Sequence, residues 1–355
     1  MEGEKVNLGL PNFLPGEKVF SLEFNGEAIN VPYLLQVEEP YSADAFEMHL
    51  FINAATHEND IFRVYEVESG EIIGWLFPVQ ALLSVEHDYA NDEYFLPCAF
   101  AAFQKLLQGE GLPAKTPILK TEQLSILDFY NDSDIVLLLA KNQISKIKDF
   151  NIKFYLPDLF KYGYRYKDKI ETVNKRVSKF YEELDKNIKL RKMSSRLIAN
   201  TYIYDLFTDI LDDNDVIHAF LSLYQVIEIV IFDIFKDELA KCLDDYSNLS
   251  ENDYGGFFDI GDKLNSIKSE KNRVANLFNY TNDTLELRDL CNNLLQQLSL
   301  KTEDNAAKAL YSVRSNLVHA YRLFSKPQKI ILEEVVEEFI GVIIDLVICY
   351  KKDIK

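Results

Sequence analysis

The chain has 355 residues, 48% hydrophobic and 13% aromatic, and a formal net charge of −19. This length exceeds one ordinary core and points to two domains, while the apolar content excludes a disordered chain. So acidic a total excludes broad non-specific nucleic-acid binding, because phosphate is repelled by a uniformly acidic surface.

Residues 1–95 read mainly as β structure. Val19–Phe24 and Ala28–Val31 flank Asn25-Gly26, a hairpin signal. A second hairpin is expected at Ser69-Gly70, between Phe62–Val67 and Ile72–Phe77, with Pro78 ending the second arm because it cannot donate to a central ladder. Ala99–Leu106 reads as a short helix stopped by Gly109 and Gly111, and Ile135–Leu139 as a buried strand after Asn131-Asp132-Ser133-Asp134. From about residue 170 the period becomes helical, with segments expected near 170–196, 199–212, 215–246, 284–299, 304–325 and 328–352. Asp215 is an expected N-cap, Pro327 fits a helix start, and 247–282 reads as broken and only partly helical. The expected class is therefore α+β: a β-rich sensing or regulatory domain over 1–160, then an all-α domain over 161–355.

Charge is unevenly placed. Residues 161–200 hold 12 Lys and Arg against 5 Asp and Glu, whereas residues 1–160 hold 10 against 25 and residues 201–355 hold 16 against 27. Lys175, Arg176, Lys179, Lys186, Lys189, Arg191, Lys192 and Arg196 are thus candidates for a phosphate-facing stripe, or for a solvated helix face. Tyr162, Tyr164 and Tyr166 alternate in strand register, as base-stacking or as packing residues at the domain junction.

The four cysteines, Cys98, Cys242, Cys291 and Cys349, have neither a disulfide framework nor a CxxC spacing, which suits a reducing compartment. The first residues lack signal-peptide features, and the apolar runs Val226–Phe235 and Phe339–Tyr350 are shorter than the roughly 20 residues a membrane span needs. The expectation is a cytoplasmic protein without a membrane partner. No phosphate loop, dinucleotide fingerprint, nucleophile elbow or HExxH is present. His49, His57 and His87 lack metal-ligand spacing, His218 sits near a helix start, and Asp212-Asp213 with Asp215 reads as a loop cap. Neither a metal nor a cofactor is expected.

The chemistry concentrates in Arg314-Ser315-Asn316-Leu317-Val318-His319, an R-x4-H element on an amphipathic helix whose apolar stripe is Leu310, Val313, Leu317, Ala320, Tyr321 and Phe324. An imidazole can exchange a proton with a ribose hydroxyl or a leaving oxygen, and a fixed guanidinium stabilises charge growing on a phosphate. Residues five apart on a straight helix point about 140° from each other. One straight helix therefore cannot aim both groups at one phosphate, and a bend or a second copy of the helix is required.

The run Ala309–Ala320 resembles the signature helix of HEPN-domain proteins (higher eukaryotes and prokaryotes nucleotide-binding), which carries Arg-x4-6-His. Phe220–Glu228, an aromatic run followed by a glutamate, resembles the first core helix of the same family, particularly its ApeA-like branch, and the helix order agrees over roughly residues 200–350. Family members usually have Asn, Asp or His directly after the arginine; here Ser315 takes that place and Asn316 follows. The resemblance implies a metal-independent endoribonuclease leaving 2′,3′-cyclic phosphate ends, built as a homodimer or higher oligomer with two motifs facing each other. Arg314 would stabilise the transition state, His319 would be general acid or base, and Glu228, Ser315 and Asn316 would be accessory polar residues. RNA would be the substrate, a phage protein or antitoxin the partner sensed by the N-terminal domain, and prokaryotic anti-phage defence or toxicity the role. The rival expectation is a non-catalytic module of the same fold that dimerises or binds a nucleotide or protein.

Overall fold

The computed structural model describes residues 5–6, 11–24, 27–37, 41–53, 56–108, 112–113, 124–167, 187–208, 210–212, 215–250, 253–268, 273–274, 277–278, 281 and 284–351. The chain divides into two compact units, 1–192 and 193–355, and the class is α+β, β-rich first and helical second. The division falls later than the expected junction near 160, because two strands beyond that point belong to the first unit's sheet.

In the first unit β1 (Lys5–Val6) pairs with β8 (Leu112–Pro113), and β2 (Asn12–Leu14), β3 (Val19–Phe24) and β4 (Glu27–Pro32) form an antiparallel three-stranded sheet. The main sheet has six strands in the order β10-β5-β9-β7-β6-β11. They are β5 (Phe46–Ile52), β6 (Phe62–Glu66), β7 (Ile72–Pro78), β9 (Asp134–Ala140), β10 (Arg165–Tyr166) and β11 (Asn187–Leu190), all antiparallel to their neighbours except β11, which runs parallel to β6. Both expected hairpins are present, and Gly70 turns the second at φ +71°. A Cβ on Gly74 would lie 2.0 Å from the Leu138 carbonyl oxygen, so β7 and β9 touch only because that position is glycine.

The central strand β9 is buried from Ile135 through Leu139, hence its uninterrupted apolar sequence. Helix α1 (Phe95–Leu107) sets Phe100 and Phe103 against Phe20 and Tyr33, with ring centroids 5.1–5.6 Å apart, and joins Trp75, Phe77, Val136 and Leu138 in one core. Short helices α2 (Lys141–Ile144) and α3 (Leu156–Lys161) follow β9.

The expected helix over 170–196 is corrected at its end: residues 187–190 are the strand β11, where Ile188 and Leu190 alternate with Lys189 in burial, while 168–186 lie outside the described residues. A period of two won over basic composition there.

The second unit contains α4 (Thr201–Thr208), α5 (Val216–Ser247), α6 (Tyr254–Lys268), α7 (Leu285–Gln297), α8 (Ala306–His319) and α9 (Lys326–Cys349). Asp215 caps α5, its Oδ1 accepting from the Ile217 amide at 2.9 Å, and Pro327 occupies the first turn of α9. Helix α9 packs on α5 and α7, with Phe339 and Phe220 ring centroids 5.5 Å apart. Helix α5 is, by length and composition, long and apolar enough to cross a membrane, which the run-by-run count missed; 61% of its apolar window is buried inside the protein.

Candidate active site

Two helices frame the site. Helix α8 begins at Asn305, whose Oδ1 accepts from the Lys308 amide at 2.9 Å, and Asp304 pairs with Lys308 at 2.8 Å across the first turn. Its approach is fixed by Asn292 of α7, which donates to the Glu303 carbonyl at 2.9 Å and accepts from the Glu303 amide at 2.8 Å. Ala309, Leu310, Val313 and Leu317 bury one face of α8. The helix ends at His319 rather than near 325, and a 3-10 turn over Tyr321–Leu323 follows. The expected stripe therefore breaks: Phe324 is buried, but Tyr321 is 55% exposed.

Arg314 reaches α5. Its Nη2 donates to Glu228 Oε1 at 2.8 Å, and its guanidinium carbon lies 5.4 Å from the centroid of the buried Tyr224 ring. The ion pair is partly open to solvent, with 28% of the arginine side chain and 40% of the glutamate side chain exposed. Both line a cavity of about 460 Å³ with Ile231, Phe232, Phe235, Lys268 and Arg273. Sequence reasoning paired Arg314 with Glu228 only by resemblance. It missed the rest of the lining, although Phe232 and Phe235 follow Glu228 at i+4 and i+7 and so share its helix face. Lys268 and Arg273 carried no such signal, since only the tertiary fold brings them there.

His319 lies apart. It is exposed in the last turn of α8 and is not among the described residues lining the Arg314 cavity. Because α8 is uninterrupted from Ala306 to His319, the straight-helix angle of about 140° applies. Ser315 and Asn316 are half-buried, and Asn316 donates to the Ser312 carbonyl at 2.8 Å, which satisfies it within its own helix.

Of the expected basic stripe, only part lies among the described residues. Lys175, Arg176, Lys179 and Lys186 lie outside the described residues, and Lys189 is exposed on β11. Arg191 is held by the buried Asp158, with Nη2 and Oδ1 2.6 Å apart, and Lys192 donates to the Lys148 carbonyl at 3.2 Å. Arg196 pairs with Asp237 at 3.1 Å in the second unit. Three of the cations expected to meet phosphate are thus engaged in the fold. The tyrosines pack: Tyr164 is buried, and Tyr166 meets Phe51 at 5.4 Å between ring centroids.

Comparison with family models finds no match, and comparisons with curated proteins and with solved structures find none either. The site's own chemistry must carry the argument. Among the described residues no group of three or more His, Cys, Asp and Glu converges as a metal site. His87 is buried with Nε2 3.1 Å from the Ala81 carbonyl oxygen, and burial lowers its pKa as it does that of His49, which meets Glu47 at 2.7 Å. Exposed His218 is the third residue of α5. Burial pushes the Cys98 and Cys291 thiols up to about 12, removing them as thiolate nucleophiles.

Proposed function

We propose that the helical unit is a HEPN-type, metal-independent endoribonuclease acting in prokaryotic anti-phage defence or as a toxin, with an active site completed by a second copy of the chain. The observation that carries this reading is the Arg314–Glu228 ion pair. It joins the two segments singled out in the sequence, the R-x4-H helix and the aromatic run ending in glutamate, at one open cavity. A buried scaffold pair would exclude substrate; this one leaves guanidinium N–H groups for a phosphate, since arginine has five donors.

The uninterrupted helix supports the dimer. With no bend between Arg314 and His319, a second copy must supply the imidazole that one chain points away. Val318 and Tyr321, 48% and 55% exposed, flank His319 in sequence and are apolar side chains that such a contact would cover. In the composite site one His319 takes the proton of the ribose 2′-hydroxyl as its oxygen attacks phosphorus. The phosphorus–5′-oxygen bond breaks, the same imidazole returns the proton to the leaving oxygen, and a 2′,3′-cyclic phosphate remains. Arg314 stabilises the charge on the phosphoryl oxygens. The β-rich unit would sense the phage protein or antitoxin that releases or restrains this activity.

The test is His319→Ala in the full chain. Cleavage of cellular RNA falls by about a hundredfold to ten-thousandfold, and growth arrest on expression is relieved. Unchanged toxicity with RNA intact in lysates of both forms overturns the nuclease. It favours the second reading, a non-catalytic module that dimerises or holds a nucleotide or protein. Two observations lean that way: Arg314 is already paired within the chain, and Ser315 stands where the family usually has a stronger polar group.

A further inference from the structure

The cavity beside Arg314 contains side chains that the cleavage chemistry does not use. Lys268 ends α6 and Arg273 lies five residues further on, while Phe232 and Phe235 project from α5 beyond Glu228. The Arg273 guanidinium lies 5.3 Å from the Phe235 ring centroid and donates through Nη1 to the Ile267 carbonyl. Its Nε is buried and has no hydrogen-bond partner among the described residues. Phe232 is 57% exposed, with the Lys236 ammonium 4.5 Å from its ring centroid.

Three cations and one acid thus line a cavity in the part of the chain, 201–355, where acids outnumber bases by 27 to 16. A phenyl ring left in water costs free energy. A ligand offering an anion beside a flat ring covers the exposed phenyl and meets the cations that line the cavity. The volume is near the lower end of small-ligand pockets, about 300–1,000 Å³, which suits one nucleotide unit.

Resting on the ribonuclease reading, we infer that this is a nucleotide subsite beside the scissile link, where Phe232 stacks the base and Lys268 and Arg273 hold its phosphate. The adjoining nucleotide is therefore bound unstacked from its strand, and Phe232 contributes to which RNA is accepted.

The measurement is fluorescence anisotropy of a short labelled single-stranded RNA, titrated with full-length His319→Ala protein so that the strand survives. Phe232→Ala weakens binding about tenfold, and Phe232→Trp restores it. Arg273→Ala weakens binding similarly and lowers the slope of log affinity against log salt by about one, while its thermal melt shows that the fold is kept. Affinity unchanged by both Phe232→Ala and Arg273→Ala overturns the subsite while leaving the ribonuclease standing, because cleavage by the unmodified protein is followed in parallel. If no form binds or cleaves RNA, the ribonuclease reading fails and AMP becomes the probe. Saturable AMP binding that Phe232→Ala abolishes upholds Phe232 and its neighbouring cations as a nucleotide pocket while overturning its place beside a scissile link, and no AMP binding overturns both.

Discussion

Arg191–Asp158 in the β-rich unit and Arg314–Glu228 in the helical unit are nearly the same ion pair by distance, 2.6 and 2.8 Å. Their settings differ. The Asp158 side chain is fully buried and accepts from the Arg191 amide at 2.8 Å, from Nε at 3.1 Å and from Nη2 at 2.6 Å. The Glu228 side chain is 40% exposed, and its arginine faces a cavity. A cation locked through Nε and Nη2 onto a fully buried carboxylate fixes a strand end. One held from a single side remains available to a ligand. Contact distance alone would not separate the two; the burial of the carboxylate and the number of bonds it accepts do.

The largest expected effect on that comparison is Arg191→Met, which leaves Asp158 buried without its cation and costs about 3 kcal/mol of stability or more. Chemical denaturation checks it. Burial already raises the Asp158 pKa above its ordinary value, against the pull of Arg191. A carboxyl with a raised folded pKa contributes stability that is present below its unfolded pKa and lost as pH rises through the folded one. Removing the guanidinium raises the folded value further, so the deficit of Arg191→Met is greatest near neutral pH and shrinks as pH falls. A deficit independent of pH would mean that Asp158 is not the group responsible.

Arg314→Ala is expected to behave in the opposite way. On the proposed ribonuclease reading, RNA cleavage falls about a hundredfold to a thousandfold, because that reading assigns Arg314 as a donor to developing phosphate charge. Stability changes by no more than about 1 kcal/mol, since partly exposed ion pairs contribute little. Activity assays and a melt on the same preparation separate the two effects. A large stability loss with little change in cleavage would make Arg314 a scaffold residue like Arg191.

How far the sequence foretold this arrangement depends on the range of the interaction. Strong short-range signals worked: Ser69-Gly70 gave a hairpin, Ile135–Leu139 a buried strand and Asp215 a helix cap, each decided by neighbouring residues. For the basic run at 161–196, composition reports charge but not partner. Nothing near Arg191 in sequence reveals that Asp158 waits 33 positions earlier. The same limit hid Arg273, which enters the Arg314 cavity only through the tertiary fold. Within the motif, the helical angle between Arg314 and His319 was legible, but where α8 stops was not. His319 is followed by Ala320 rather than a glycine, and Ala320 closes the helix by donating to the Asn316 carbonyl at 2.8 Å.

The smallest expected effect is the sharpest probe of Glu228. Replacing it with glutamine keeps an oxygen that can accept from Arg314 Nη2 while removing the negative charge beside the cavity. If Glu228 chiefly holds the guanidinium in place, Glu228→Gln preserves kcat. Loss of the competing carboxylate then tightens RNA binding a few-fold, the scale of a partly exposed ion pair of about 1 kcal/mol or less. Glu228→Ala removes the anchor as well, so kcat falls even though the cavity becomes equally less acidic. An unchanged kcat in both variants, with RNA binding tightened equally, would show that only the charge matters. A fall in kcat with glutamine as large as with alanine would instead make the carboxylate itself part of the chemistry, and Glu228 would then belong with Arg314 and His319 rather than behind them.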